Sequence, residues 1–112
     1  MEELLQNYLR FLDEEIYGDQ GFDPDVPIAQ QFGEILDELD FRLATVKFEM
    51  DSLVEIPKAA ISSSTTLREL VEQVAAMPKI SKAEAPAFLK KKKGDLTKIA
   101  RLMAEDLQSM LG

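Results

Sequence analysis

The sequence predicts an all-α protein. Apolar residues recur at three- and four-residue steps in several stretches of the chain, and this is the spacing of one face of a helix. Two capping boxes, Thr66 with Glu69 and Ser81 with Glu84, have the spacing at which two side chains satisfy each other's free backbone N–H groups at a helix start. No stretch combines strict apolar–polar alternation with β-branched side chains, so we predict no strand.

The first helix is predicted to end before Gly18, because glycine is a common stop signal. Residues 18–33 are rich in Gly, Pro and Asp and show no sustained period, so we expect a long structured loop there. The apolar face of this first helix consists of Leu5, Tyr8, Leu9, Leu12 and Ile16.

Residues 34–53 are predicted to form the second helix. Pro57 interrupts the pattern after it, because the residue before a proline is disfavoured in helical geometry. A short turn-like helix is expected at residues 58–61, and a longer helix at residues 67–77 with Thr66 as its N-cap. The predicted apolar stripe of the second helix consists of Leu36, Leu39, Leu43, Val46, Met50 and Leu53, and that of the later helix consists of Leu67, Leu70, Val71 and Val74.

The chain beyond Pro78 is predicted to be an extension of the first domain. Pro86 breaks a short helical piece, and the four lysines with Gly94 at residues 90–94 are expected to form a linker. Asp95 is predicted to cap a last amphipathic helix at residues 95–111. We therefore divide the chain into a helical domain at residues 1–78 and a basic extension at residues 79–112. The apolar face of the last helix consists of Leu96, Ile99, Leu102, Met103, Leu107 and Met110, and it is expected either to pack on the body or to bind a partner, including a second copy in a homodimer.

Charge is unevenly distributed along the chain. The net charge is −8, with 46% hydrophobic and 30% charged residues, which is ordinary for one globular domain. Up to Pro78 there are 5 Lys and Arg against 17 Asp and Glu, and from Lys79 onward there are 8 against 4. An acidic body of this kind repels nucleic acid and attracts basic protein surfaces. We therefore expect a protein partner with a basic patch and no nucleic acid.

The absence of two residue types narrows the possible chemistry. The chain has no cysteine and no histidine, so it has no disulfide, no thiolate and none of the commonest general bases or metal ligands. We predict that the protein is not an enzyme and has no metal site. No apolar run approaches the length of about 20 residues that a membrane span requires, so we expect a cytoplasmic protein without a membrane span.

One segment carries several motifs in a distinctive order. Residues 36–74 contain Asp37-Glu38-Leu39-Asp40, an acidic amphipathic helix, Val-Glu-Ile-Pro at residues 54–57, and a Thr-capped helix that contains Glu-Leu-Val. These motifs align without a gap to those of the acyl carrier protein family, which the segment resembles. Upstream, residues 22–25 and 32–33 resemble the loop of that family. The resemblance covers about residues 1–77 and implies an acyl-carrier-like four-helix bundle, to which the basic tail adds a helical extension.

The resemblance also implies that the residue that receives the prosthetic group is missing, because Glu38 stands in its place. In the family, a serine at the start of the second helix receives a 4′-phosphopantetheine arm, whose thiol holds the cargo. Here Asp37, Leu39 and Asp40 match the motif, but Glu38 occupies the serine position. A carboxylate cannot form the required phosphodiester, so we expect no cofactor. The implied function is that of a non-enzymatic, phosphopantetheine-independent protein that binds a partner enzyme or assembly.

Two other functions stay open. Asp51-Ser52-Leu53 is the carrier tripeptide, so a genuine acyl carrier could hold 4′-phosphopantetheine on Ser52, or on a misaligned site, in fatty acid, polyketide or peptide biosynthesis. Too few residues separate Ser52 from Thr66 to accommodate the long second helix of the family. The second alternative is an unrelated helical adaptor or chaperone. Arg42 and Ser52 fall where carriers usually have buried apolar residues, so the second helix can also be rotated or slipped relative to a typical carrier.

The acidic side chains of the second helix are the candidate partner-binding residues. Carriers present a similar acidic surface to basic patches on their enzymes, and such complementarity mainly sets association rate and partner choice. For any single residue the simpler interpretation is a solvated helix face. The candidate partner-binding residues are Glu34, Asp37, Glu38, Leu39, Asp40, Glu49 and Asp51.

Overall fold

The computed structural model describes residues 2–16, 20–33 and 35–111. Within these residues there are six helices and no strand, so the predicted all-α class is confirmed for this part of the chain. Gly18 and Glu34, where we placed the end of the first helix and the start of the second, lie outside the described residues. Residues 14–16 and 35–37 were also predicted to be helical, and this is wrong, because the first helix ends before them and the second begins after them. The helices are α1 (Glu2–Asp13), α2 (Ile28–Gln31), α3 (Glu38–Ser52), α4 (Lys58–Ser63), α5 (Leu67–Ala75) and α6 (Ala85–Leu111).

One hydrophobic core is built mainly by α1, α3 and α5. The Tyr8 ring of α1 stacks on the Phe48 ring of α3 with centroids 4.3 Å apart, and such pairs add to the free energy gained by burial alone. All members of this core cluster, and the half-buried apolar residues packed against it, lie between Leu4 and Met77. The helical residues buried in this core are Leu5, Tyr8 and Leu12 of α1, Ile28 of α2, Phe41, Ala44 and Phe48 of α3, Ala60 of α4, and Leu67, Leu70, Val71 and Val74 of α5.

The predicted apolar stripe faces this core only through Leu36, which lies just before α3. Leu39, Leu43 and Met50 are half-buried, whereas Phe41 and Phe48 are fully packed in the core. The reason is that α3 has two apolar stripes at helical spacing, and the larger aromatic side chains gain more by burial. The helix is therefore rotated relative to the prediction.

The long loop before α3 is held by a buried glutamine. The side-chain amide of Gln31 donates to the carbonyl oxygens of Asp23 at 2.9 Å and Val26 at 3.1 Å, and its oxygen accepts the backbone N–H of Asp23 at 2.9 Å. Gln31 ends α2, a helix of one turn that is too short to produce a detectable period. The side chain of Arg68 on α5 binds Asp25 at 2.6 Å. These bonds fix the loop against the bundle.

The predicted cap of α5 is present in part. The Thr66 hydroxyl accepts the Glu69 N–H at 3.2 Å, but the Glu69 carboxylate accepts from the N–H of Thr65 rather than from that of Thr66. The turn-like helix expected at residues 58–61 is α4, which extends two residues further. Both elements therefore follow the sequence signals to within a few residues.

The predicted linker at residues 90–94 is wrong. This segment lies inside α6, a continuous helix of 27 residues, so the predicted helix 95–111 is its C-terminal part and Asp95 is not a cap. Pro86 is the second residue of α6, where its missing N–H has no intrahelical acceptor to lose. Lysine is a good helix former, so four lysines carry the helix through Gly94.

The first half of α6 packs on α3, and its end extends beyond the body. The two helices α3 and α6 are in contact, and Phe88, Lys92 and Ile99 are the buried residues of α6. Exposure then rises along the helix from 2% at Ile99 to 60% at Leu107 and 82% at Met110. The extension therefore does pack on the body, but only through its first half.

Candidate functional site at the N-terminal end of α3

Asp37 and Asp40 build the start of α3. The Asp37 carboxylate accepts the backbone N–H of Asp40 at 2.9 Å, and the Asp40 carboxylate accepts the N–H of Asp37 at 3.4 Å. This is a reciprocal capping box that uses Asp at both positions. It fixes the first turn of the helix. Asp40 was predicted to lie on the partner-binding surface, and this is wrong, because it is only 4% exposed.

Glu38 is the first residue of α3 and is exposed to solvent. The capping box holds the backbone on either side of it, while the half-buried Leu39 follows. Free N–H groups at a helix start favour a negative charge by about 0.3–1 kcal/mol, so a carboxylate is electrostatically suited to this position. The site therefore presents one accessible carboxylate on a rigid turn, which can pair with a cation but cannot form the phosphodiester that a serine hydroxyl forms.

Glu49 was predicted to lie on the partner-binding surface, and this is wrong. Its side chain is 3% exposed, and its Oε2 accepts hydrogen bonds from the Lys92 ammonium and the backbone N–H of Ile56, each at 2.8 Å. Burial raises the pKa of the Glu49 carboxyl, although both hydrogen bonds oppose the rise. Glu49 thus joins α3 to α6 inside the molecule.

Asp51 and Ser52 lie at the other end of α3. The exposed Asp51 carboxylate and the half-buried Ser52 hydroxyl both accept from the Asn7 side-chain amide of α1, at 2.7 and 3.1 Å. Arg10 lies 3.8 Å from Asp51. Ser52 is the last residue of its helix rather than the first. These residues therefore form a contact between α1 and α3, and Ser52 lacks the helix-start position of a carrier serine.

Of the predicted set, only Asp37, Glu38, Leu39 and Asp40 come together in one place. Glu34 lies outside the described residues. Sequence reasoning missed Lys92 because the lysine run was interpreted as a linker. Its helical spacing from Phe88 and Ile99, four and seven residues away, was the available signal.

Within residues 2–16, 20–33 and 35–111, no cluster of three or more acidic side chains is arranged to hold a metal ion. In the same part of the chain, no helix combines the length and hydrophobicity needed to cross a membrane.

No family model matches the chain, and no curated protein or solved structure matches it either. The resemblance to acyl carriers therefore rests on this chain's own motifs.

Proposed function

We propose that this chain is an acyl-carrier-like, non-enzymatic protein that carries no phosphopantetheine arm and acts by binding a partner protein. The observation that supports this proposal most directly is the position of Glu38. It is exposed as the first residue of α3, in the frame made by the Asp37 and Asp40 cap. The resemblance assigns the arm-bearing serine to this same position.

The order of the helices supports the carrier-like part of the proposal. A first helix and a long loop precede α3, a turn containing Ile56 and Pro57 leads into the short α4, and Thr66 caps α5. The resemblance implies this same order of elements. The core of α1, α3 and α5 is complete before the basic tail begins.

The charge of the body supports a basic partner. Residues 1–78 carry a large excess of acidic side chains, so the potential around α3 is negative. Glu38 is exposed, and Leu39 beside it is half-buried and offers partly exposed apolar area. An exposed carboxylate of this kind steers association and selects partners more than it adds affinity. The partner is therefore a protein surface with Lys or Arg around an apolar centre.

Charge reversal at Glu38 tests this function. The chain is cross-linked and captured in its native host as three forms: unaltered, Glu38→Lys, and Glu72→Lys. Glu72 is an exposed carboxylate on α5, so its reversal makes the same change of net charge elsewhere. We expect one set of partners to be enriched with the unaltered chain and with Glu72→Lys, and lost with Glu38→Lys. Loss with both variants, or with neither, contradicts a docking site at Glu38.

A further inference from the structure

The contact between α6 and α3 lies outside the main core. Val46, Phe88 and Ile99 are buried, but none of them belongs to the core cluster, which ends at Met77. The body therefore has a complete core without α6. In such an arrangement the appended helix is expected to open at lower free energy than the core helices.

Two adjacent lysines of α6 form salt bridges with the body. Lys92 binds the buried Glu49 at 2.8 Å, and Lys91 binds the exposed Glu55 at 2.8 Å in the turn after α3. The Lys92 ammonium also lies 5.5 Å from the centre of the Phe88 ring. The basic extension thus meets the acidic body through matched charges around an apolar contact.

The orientation of the Glu49 carboxylate, which accepts the hydrogen bond from Lys92, is set by residues outside α6. The Glu49 carboxylate is held by the backbone N–H of Ile56, which belongs to the turn before α4 and not to α6. If α6 leaves, this carboxylate keeps its orientation and loses only its cation. The site that remains consists of Val46, Glu49 and Glu55.

We propose that the surface formed by Val46, Glu49 and Glu55 is a docking site for lysine-bearing amphipathic helices, and that α6 is its intramolecular occupant. A partner helix with the same pattern of side chains displaces α6. In this pattern two adjacent lysines follow an aromatic residue by three and four positions, and an aliphatic residue follows the second lysine by seven positions. The contact is thus autoinhibitory. It does not depend on the proposed function, because Glu38 and Glu49 lie on different parts of α3.

Binding of a labelled peptide tests the proposal on the full chain. The probe is the chain's own α6 sequence at residues 85–103, and fluorescence anisotropy measures its dissociation constant. A Phe88→Ala/Lys92→Ala chain weakens α6 and leaves the body surface unaltered. We expect this chain to bind the peptide about tenfold more tightly than the unaltered chain, because an occupied site lowers apparent affinity by the fraction that is free. Adding Glu49→Gln should abolish the gain.

A matched peptide separates specific docking from general charge attraction. Replacing Lys91 and Lys92 by alanine in the peptide should remove binding, whereas replacing Lys90 and Lys93, which are exposed, should have little effect. Equal binding of the two peptides overturns the proposal. So does equal binding by the unaltered and weakened chains, or absence of binding by a weakened chain that is still folded.

Hydrogen exchange of the unaltered chain gives an answer that needs no variant. The amides from Phe88 to Ile99 should exchange about tenfold or more faster than those around Phe48 and Val71, because α6 opens while the core stays closed. Equal protection of the three regions would show that α6 is an integral part of the core and would overturn the proposal. Failure of the Phe88→Ala/Lys92→Ala chain to fold would lead to the same conclusion.

Discussion

Two glutamates on α3 differ in their environments. Glu38 is solvated at the start of the helix, whereas Glu49 is buried against Lys92. The helix-start position of Glu38 was expected from the resemblance to the carrier motif, whereas the apolar pattern alone placed the start of the helix at residue 34. The burial of Glu49 was not predictable, because its partner lies in a different helix that the sequence pattern did not reveal.

The raised pKa of Glu49 predicts a specific pH dependence. Its ordinary value is 4.5, and burial raises it in the folded chain against the opposing effects of Lys92 and the Ile56 N–H. Between 4.5 and the raised value the folded state binds more protons than the unfolded state, so the free energy of unfolding falls as pH rises through this range. The stabilising contribution of Glu49 is therefore greatest below its ordinary pKa.

Urea unfolding of the unaltered chain and of Glu49→Gln across this pH range measures the effect. The variant titrates no group at this position and serves as the reference for all other acids. We expect the stability of the unaltered chain, relative to the variant, to decrease as pH rises above 4.5. An increase would mean that the Lys92 pair outweighs burial and holds the pKa low.

At the scale of elements, the sequence predicted helix positions better than helix faces. The helices α4 and α5 begin at their predicted first residues because Pro57 and the Thr66 cap are local signals, whereas α1 ends and α3 begins several residues inside their predicted bounds. The buried face of α3 was missed because stripes through Leu43 and through Phe48 both have helical spacing. Only the packing of α1 on one side and α6 on another distinguishes them.

The continuity of α6 depends on residues that each suggest a break. Pro86 and Gly94 interrupt helices in most contexts, and a lysine run is typical of linkers. Here the proline lies in the first turn, and the glycine is in mid-helix without a positive φ angle. Gly94 is therefore a weak point of α6 rather than its boundary.

Replacing Gly94 by alanine tests this continuity. An added Cβ at Gly94 meets no atom within 4 Å, so the helix should gain about 0.5–1 kcal/mol from the better propensity of alanine. Gly33→Ala is the matched control, because Gly33 has a φ of 84° and its replacement should destabilise the chain. Helical circular dichroism and thermal unfolding report both changes. A Gly94→Ala chain with unchanged helix content and stability would restore the linker interpretation.

At the scale of the whole molecule, an acidic body holds a basic helix that extends beyond it. The large hydrophobic residues exposed in the described part of the chain are Leu102, Leu107, Met110 and Leu111, all in the last turns of α6. Most apolar residues of the body, in contrast, are buried or half-buried, and its charge is acidic.

The most direct test of the carrier-like account is the intact mass of two chains after co-expression with a broad phosphopantetheinyl transferase. The unaltered chain should gain no mass, because Glu38 cannot form the phosphodiester. A Glu38→Ser chain should fold, since the exposed side chain contributes only about 0.3–1 kcal/mol through the helix dipole, and should gain the mass of one phosphopantetheine. The host's own acyl carrier serves as the positive control. A gain by the unaltered chain, mapped to Ser52 or another serine, would contradict the account, as would a folded Glu38→Ser chain that stays unmodified.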